Sequence, residues 1–197
     1  MKQFLDLEDI SDVQKLIEEA ISLKKGPFEH EDLGKHKTIG MLFFNSSLRT
    51  RLSTQKAAQN LGMKTMVMNL NSEGWALEFE DGSIMNGNTA EHIKEAAAVV
   101  SQFVDIIAVR AFPGLTDKEK DGQEQILKSF QKYASVPVVN MESATAHPLQ
   151  ALTDAITITE FQQKKTTESC LVLGSASKGF ATCRSKFICE DDAVDRR

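Results

Sequence analysis

One short stretch of the sequence concentrates side chains that bind anions. Residues 47–51 read SLRTR and follow the apolar run at residues 38–44 after only two residues, so hydroxyl and guanidinium groups gather just beyond a segment that has the look of a buried strand. A helix N-terminus with free N–H groups, hydroxyl donors and an arginine fork can bind phosphate. The alternative is a helix capped by Ser46 or Ser47 with both arginines in solvent, because serine is a common capping residue. The motif alone leaves both interpretations open.

Polar side chains also follow other apolar runs. Arg110 ends one run, Glu142 follows another, and His147 and Gln150 come shortly after it; Trp75 is the single tryptophan, in a glycine-containing polar loop. An imidazole can polarise a carbonyl oxygen, a carboxamide can bond an amide, and a carboxylate can hold a cation. Each residue taken singly also has an ordinary structural role, for example a carboxylate that favours a nearby helix N-terminus. Only their common placement favours a site.

The elements that would position these residues alternate along the chain. Strands are predicted at residues 38–44, 65–70, 105–110 and 136–141, and helices at residues 11–25, 48–61, 90–103, 123–134 and 148–163. Ser11 is predicted to cap the first helix, Gly62 to end the second, and Pro148 to lie in the first turn of the last.

Strands that alternate with helices predict an α/β fold, a parallel sheet flanked by helices. In such sheets ligands bind beyond the carboxyl ends of the strands. Residues 45–51, residues 71–75, Arg110 and residues 142–150 all follow predicted strands, so we expect them near one crevice.

Composition narrows the possible partners. The chain has 197 residues, a formal charge of −5 and 41% apolar residues, without a basic stripe that would favour nucleic acid. No apolar run reaches the roughly 20 residues of a membrane helix, and the acidic start MKQFLDLEDI lacks a signal-peptide pattern. We therefore expect a cytoplasmic protein without nucleic-acid or membrane partners.

These residues and their spacing resemble those of the carbamoyltransferases. Residues 47–51 look like the Ser-x-Arg-Thr-Arg carbamoyl-phosphate motif of that family, and residues 147–150 (HPLQ) look like its His-Pro-x-Gln element. The resemblance implies carbamoyl-phosphate contacts from the following residues: Ser47, Leu48, Arg49, Thr50, Trp75, Arg110, His147, Pro148, Leu149 and Gln150. It implies that Glu142 contacts the amine substrate, that Arg49, Arg110 and His147 are catalytic, and that the protein is a homotrimer in which Trp75 reaches a neighbouring subunit's site.

Within the family, the resemblance is greatest to the N-acylornithine branch. Asn45 stands where ornithine and aspartate enzymes usually have glutamate, Leu149 stands where they have cysteine or threonine, and the Trp75 loop fits the branch. This implies carbamoyl transfer to the δ-amine of N-succinyl- or N-acetylornithine in arginine biosynthesis. The loop at residues 87–91 aligns with the region that senses the acyl group, and the small, uncharged Ala90 favours the larger, anionic succinyl group.

The implied chemistry requires no cofactor. Phosphate is the leaving group and an amine is the nucleophile, so neither a metal nor a covalent enzyme intermediate is needed. Ser47, Arg49, Thr50 and Arg110 would stabilise the charge on phosphate, while His147 and Gln150 hold the carbamoyl group. Two alternatives remain: an ornithine carbamoyltransferase, and a non-catalytic fragment that binds carbamoyl phosphate or assembles into trimers.

The C-terminal residues depart from the family pattern. We expect a carbamoyl-phosphate-binding domain at residues 1–148, an interdomain helix at 149–167, and no second domain, which would leave this chain inactive or impaired. All three cysteines lie after residue 169. Suitable codons for residues 168–177, read one base later, give Lys-Val-Val-Leu-Ser-Trp-Ala-Pro-His, a segment typical of the acylornithine branch. Residues 168–197 are therefore interpreted as a frameshifted, poorly ordered tail.

Resequencing the DNA from the codon of Ile158 to well beyond that of Arg197 tests this interpretation. We expect a one-base change that restores Trp-Ala-Pro-His and continues into a second domain. An unchanged sequence with a stop codon after Arg197 would instead indicate a gene that encodes only the first domain.

Overall fold

The computed structural model describes residues 3–71 and 75–161. The strands are β1 (Gln3–Phe4), β2 (Thr38–Phe43), β3 (Lys64–Asn69), β4 (Leu77–Glu78), β5 (Glu91–His92), β6 (Ile106–Arg110) and β7 (Val138–Glu142). The helices are α1 (Val13–Lys25), α2 (Arg49–Asn60), α3 (Ile93–Phe103), α4 (Lys118–Gln123), α5 (Gln125–Tyr133) and α6 (Pro148–Phe161), with short 3-10 helices at Leu7–Asp9 and Glu31–Gly34.

Five of the strands form one parallel sheet in the order β1-β7-β6-β2-β3. β4 and β5 make a separate parallel pair. The predicted fold class, a parallel sheet flanked by helices, is confirmed. Because every strand of the main sheet is parallel, all the carboxyl ends lie along one edge, which is the edge where the predicted site residues follow their strands.

β2 carries the core on both of its faces. Side chains alternate along β2 and the residue after it, so Leu42 and Phe44 face the apolar cluster that includes Ile93 of α3 and Phe130 of α5. Met41 and Phe43 face the opposite cluster, which includes Ala58 of α2. This period-two distribution explains the nearly uninterrupted apolar sequence, because a central strand covered by helices on both sides exposes neither face to water. The buried strand therefore fixes the position at which the segment that begins with Asn45 leaves the sheet.

Several boundaries differ from the predicted ones for local reasons. Asp12, and not Ser11, caps α1, since its Oδ1 accepts a hydrogen bond from Lys15 N at 2.9 Å. The predicted helix at residues 90–103 begins only at Ile93, because Glu91 and His92 pair with β4 and His92 Nδ1 accepts from Lys94 N. The two-residue strand β1, which pairs with β7, is absent from the sequence-based prediction.

The predicted helix at residues 123–134 corresponds to α5, and the sequence-based prediction lacks the separate helix α4 that precedes it. α4 ends at Gln123 and α5 begins at Gln125, and Glu124 between them adopts a left-handed conformation with φ 50° and ψ 43°. A single non-glycine residue in this region breaks the helical hydrogen-bond ladder and changes the direction of the chain. The amphipathic pattern of α5 is visible in the sequence, but the break at Glu124 is not.

Helix α6 packs on the sheet through its first half. Pro148, Ala151 and Ala155 are buried, and near its end Glu160 accepts a hydrogen bond from Lys24 Nζ of α1 at 2.6 Å.

The proposed frameshifted tail lies outside the described residues, and the division of the chain at residues 148 and 167 stays a prediction. Among the helices of the described segments, none is long and apolar enough to cross a membrane.

Gly62 ends α2 as the sequence predicts, and two features require glycine there. Its φ is +74°, and a Cβ atom at this position would overlap the carbonyl oxygen of Glu31. Gly82 has a similar φ of +83°, but a Cβ atom there would have no described atom within 4 Å. A substitution at Gly82 would therefore introduce conformational strain alone, whereas one at Gly62 would introduce both strain and steric overlap.

We expect Gly62→Ala to lower the free energy of unfolding by more than Gly82→Ala does. Left-handed strain costs both variants roughly 1 kcal/mol. The overlap with backbone adds at least about 1 kcal/mol more at position 62, as overpacking typically does. Urea denaturation of both variants measures the difference. Equal losses would show that the backbone near Glu31 moves freely to accept the new methyl group.

Candidate functional site

A cavity of about 560 Å³ opens at the carboxyl edge of the sheet. Its walls come from the segment after β2 with the start of α2, from the ends of β6 and β7, and from the start of α6. The lining residues are Ser46, Ser47, Leu48, Arg49, Thr50, Ser53, Thr54, Arg110, Glu142, His147, Leu149, Gln150 and Thr153. The structure thus brings together all the predicted site residues except Trp75 and Pro148.

The N-terminus of α2 is open towards this cavity. Leu48 is the capping residue, and no side chain of the described segments caps the helix. The simple alternative of a serine cap is therefore wrong, and the first-turn N–H groups remain available to a ligand. Free N–H groups and the positive end of the helix dipole favour an anion there. Ser47 and Thr50 add hydroxyl donors at the same place.

The two arginines of the 47–51 stretch have different surroundings. Arg49 lines the cavity and makes no ion pair with any residue of the described segments. Arg51 is half-buried: its guanidinium lies 4.5 Å from the centre of the Phe43 ring, and its Nη2 donates to Asn69 Oδ1. Arg51 therefore ties α2 to β2 and β3, and is not a solvated residue. Only Arg49 of the pair faces the cavity.

Arg110 and Glu142 form an ion pair across the ends of β6 and β7. Arg110 Nε donates to Glu142 Oε2 at 2.8 Å, and Nη2 lies 2.7 Å from the same oxygen. The two side chains are only 12% and 15% exposed, so each charge depends on its partner. Arg110 Nη1 also donates to the carbonyl oxygen of Ser46 at 3.0 Å. A guanidinium has more N–H groups than these bonds use, so Arg110 can still donate to an anion.

The ring of His147 is held in a defined orientation at the start of α6. Its Nδ1 accepts a hydrogen bond from Gln150 N at 3.3 Å, so in the neutral ring the proton resides on Nε2. Burial lowers the pKa of His147; the negative charge of Glu142 opposes this effect, and the positive charge of Arg110 adds to it. The neutral ring therefore presents an Nε2–H donor at neutral pH.

Gln150 is oriented by its neighbour on the helix. Its Nε2 donates to Asp154 Oδ1 at 2.7 Å, one turn further along α6. One N–H of the carboxamide is thus engaged, and its oxygen accepts no hydrogen bond from any residue of the described segments. Together, His147 supplies a donor and Gln150 supplies an acceptor, the complement of a group that has both a carbonyl oxygen and an amino group.

Two predicted residues lie away from the cavity walls. Pro148 is buried as the first residue of α6. Trp75 is 49% exposed, and its Nε1 donates to Glu91 Oε2 at 3.1 Å. A contact between Trp75 and a neighbouring subunit's site stays a prediction, since the structure contains a single chain.

Three polar residues of the cavity wall, and one hydrogen bond between segments of this region, are absent from the sequence-based prediction. Ser53, Thr54 and Thr153 line the cavity one turn along α2 and α6. Asn45 Oδ1 accepts a hydrogen bond from Phe112 N at 2.6 Å, and this bond connects the segment after β2 to the segment after β6. Spacing of one helical turn from Thr50 and from Gln150 is the signal that would have indicated the first three. Nothing in the sequence indicates the bond that Asn45 makes.

Comparison with known proteins agrees with this geometry. Residues 2–160 match the family described as "Aspartate/ornithine carbamoyltransferase, carbamoyl-P binding domain". The N-succinylornithine carbamoyltransferase of Bacteroides thetaiotaomicron is 49% identical over 173 residues, which are 88% of this chain and 54% of that protein. The N-acetylornithine carbamoyltransferase of Xanthomonas campestris pv. campestris is 42% identical over 162 residues, 81% of this chain and 47% of that protein. The chain spans about half the length of these relatives.

A solved structure gives the same result in three dimensions. A variant of N-acetyl-L-ornithine transcarbamylase, in complex with carbamyl phosphate and N-succinyl-L-norvaline, superimposes with a TM-score of 0.76 at 42% identity. The match covers 81% of this chain and 48% of that one. On the family match, the sequence identities and this shared fold, the chain belongs to the aspartate/ornithine carbamoyltransferase family and contains its carbamoyl-phosphate-binding domain.

Proposed function

We propose that this protein binds carbamoyl phosphate and serves carbamoyl transfer to an N-acylornithine. The observation that carries the proposal is the uncapped N-terminus of α2 facing the same cavity as Arg49, Arg110 and His147. Within that cavity, the groups that can donate hydrogen bonds to an anion lie at the start of α2. The groups that suit a carbamoyl group lie at the start of α6: a donor for its carbonyl oxygen and an acceptor for its amino group. This division fits a molecule with a phosphate at one end and a carbamoyl group at the other.

The arrangement suits the charge changes of the reaction. The amine nitrogen attacks the carbamoyl carbon, a C–N bond forms, and the C–O bond to phosphate breaks, with phosphate leaving and the amine losing a proton. Negative charge grows first on the carbamoyl oxygen, where the Nε2–H of His147 would donate, and then on phosphate, near Arg49 and Arg110. Fixed donors of this kind typically supply a large part of catalysis, with one lost donor costing about 100-fold or more in rate.

Glu142 is the proposed contact of the amine substrate. Its carboxylate already holds Arg110 through one oxygen, Oε2, and no residue of the described segments bonds to its other oxygen. A cationic substrate amine could approach that second oxygen while the ion pair to Arg110 stays intact. Glu142 would then orient Arg110 and attract the amine at once.

The identity of the acyl group on the ornithine substrate is a more specific part of the proposal. Ala90 N donates to the carbonyl oxygen of Ala76 at 2.7 Å, and Trp75 bonds Glu91, so the short β4–β5 pair joins the Trp75 loop to the predicted acyl-sensing loop. Ala90 itself offers no charge that would repel a succinyl carboxylate. We favour N-succinylornithine over N-acetylornithine on this basis; comparing the turnover of both on the enzyme at its full native length decides between them.

The carbamoyl-phosphate site and the assembly are separate questions. A non-catalytic protein that binds carbamoyl phosphate or enters trimers remains the second candidate, because the described cavity accounts for binding of the ligand by itself. The homotrimer stays a prediction from the family resemblance, and the cytoplasmic location stays a prediction from the composition and the N-terminal residues. Subunit exchange with an intact relative would separate an assembling fragment from a monomeric one.

We expect Arg49→Ala to weaken carbamoyl-phosphate binding roughly 10- to 100-fold, because hydrogen bonds to charged groups contribute about 1.5–3 kcal/mol. Isothermal titration calorimetry on the ligand-free chain measures the dissociation constant. Lys64→Ala is the matched control, since it removes the same charge from the opposite, amino-terminal end of the sheet. If both substitutions weaken binding equally, the ligand responds to net charge and not to this cavity.

The pKa of His147 gives a second test. Because burial lowers the pKa and Glu142 opposes that effect, Glu142→Gln should lower the pKa of His147 further, and Asp154→Asn, which removes a weaker opposing charge, should lower it less. NMR titration measures these pKa values, with the signal assigned through His147→Gln. A rise in the pKa of His147 on Glu142→Gln would contradict the described environment.

The same shift has a consequence for stability. The folded-state pKa of His147 lies below its unfolded value, so the buried neutral ring favours the folded state above the unfolded pKa. That contribution decreases as the pH falls from the unfolded pKa through the folded one.

A further inference from the structure

We propose that Glu124 is a positioning residue for the carbamoyl end of the cavity, acting through the loop at residues 143–147. This inference rests on the proposed function, because only that function assigns one end of the cavity to the carbamoyl group. One oxygen of the Glu124 carboxylate, Oε1, accepts three hydrogen bonds from that loop. The donors are Ser143 Oγ at 2.5 Å, Thr145 N at 2.9 Å and Thr145 Oγ1 at 2.8 Å.

The backbone explains why Glu124 can reach this loop. It lies between α4 and α5 in a left-handed conformation, which is uncommon for a residue other than glycine, asparagine or aspartate. Such a conformation is strained and persists only when the surroundings hold it. The three side-chain bonds to the loop hold this conformation, together with two backbone bonds, from Glu124 N to the carbonyl oxygen of Asp121 and from Lys128 N to the carbonyl oxygen of Glu124. The helix break thus aims a carboxylate at the segment that follows β7.

The loop is otherwise organised around a single hydroxyl. Ser143 Oγ accepts from Asn140 Nδ2 at 3.0 Å and from Ala146 N at 3.3 Å, and Ser143 N donates to the carbonyl oxygen of Ala146 at 2.9 Å. Asn140 and Ser143 are almost fully buried. The single hydroxyl proton of Ser143 has two acceptors within reach, Glu124 Oε1 and the carbonyl oxygen of Ala146 at 3.1 Å, and the contact with the carboxylate is the shorter one. The carboxylate therefore helps to fix the rotamer of the hydroxyl on which the loop is built.

This loop separates two cavity residues. Glu142 ends β7 immediately before it, and His147 follows it at the start of α6. Glu124 itself does not line the cavity. Loss of its carboxylate would leave Thr145 N without its acceptor and the Ser143 hydroxyl with only the carbonyl oxygen of Ala146. It would thereby loosen the backbone that sets the position of the His147 ring. The phosphate end, at the start of α2, makes none of these bonds.

The separation of the two ends makes the proposal testable. We expect Glu124→Ala to weaken the binding of carbamoyl phosphate roughly tenfold, as for a lost charge-assisted contact, while inorganic phosphate binds within about twofold of the wild type. Calorimetry with each ligand on the full chain measures both. NMR titration of His147 in the ligand-free chain is the second readout: a loosened loop hydrates the ring, so its pKa should rise towards the ordinary value.

Three further variants complete the design. Glu124→Gln keeps an acceptor oxygen of the same size and should retain most of the carbamoyl-phosphate affinity. Glu119→Ala removes a charge from exposed α4, where the side chain makes no hydrogen bond or ion pair with any described residue, and should change neither readout. Thr145→Val removes one of the three bonds at an exposed position and should shift both readouts in the direction of Glu124→Ala by a smaller amount.

Two results would overturn the proposal. In the first, Glu124→Ala leaves carbamoyl-phosphate affinity and the pKa of His147 unchanged. In the second, both ligands lose affinity equally, which indicates general destabilisation; should Glu124→Ala not fold, Thr145→Val gives this answer. If the wild type binds carbamoyl phosphate no better than phosphate, the proposed function fails instead, and the pKa of His147 in the variants still decides whether Glu124 holds the loop.

Discussion

The ion pair between Arg110 and Glu142 is the interaction on which the site depends. Both side chains are nearly buried at the ends of neighbouring parallel strands, where each charge needs the other. The pair shares the edge of the sheet with the start of α2, because Arg110 also donates to the carbonyl oxygen of Ser46. One guanidinium therefore connects three of the segments that surround the cavity, and its remaining N–H groups stay available for an anion.

Two kinds of recognition group lie on opposite sides of this pair. The start of α2 offers backbone N–H groups, hydroxyls and the guanidinium of Arg49, all suited to a multiply charged anion. The start of α6 offers a neutral imidazole donor and a carboxamide acceptor, suited to a polar but uncharged group. Electrostatic attraction thus decreases across the cavity from α2 to α6. This difference suits the proposed ligand, which has one charged and one neutral end.

The sequence alone predicts much of this arrangement. Short apolar runs that alternate with helical segments require a parallel sheet, and the central run is apolar throughout because β2 is covered on both faces. A parallel sheet places every strand's carboxyl end at one edge, so residues such as Arg110 and Glu142 can be assigned to a common site without coordinates. Gly62 is similarly predictable, since a helix end with positive φ favours glycine.

The tertiary structure decided what periodicity cannot express. The sequence shows two arginines in the 47–51 stretch, but only packing against Phe43 separates Arg51 from the cavity-lining Arg49. The proton position on His147 follows from the bond to Gln150 N. The bend at Glu124 depends on partners 19 and 21 residues away. The sequence determined which residues follow the strands because strand direction and covalent order are local; orientation, pairing and protonation depend on contacts between distant segments, which exist only in the folded chain.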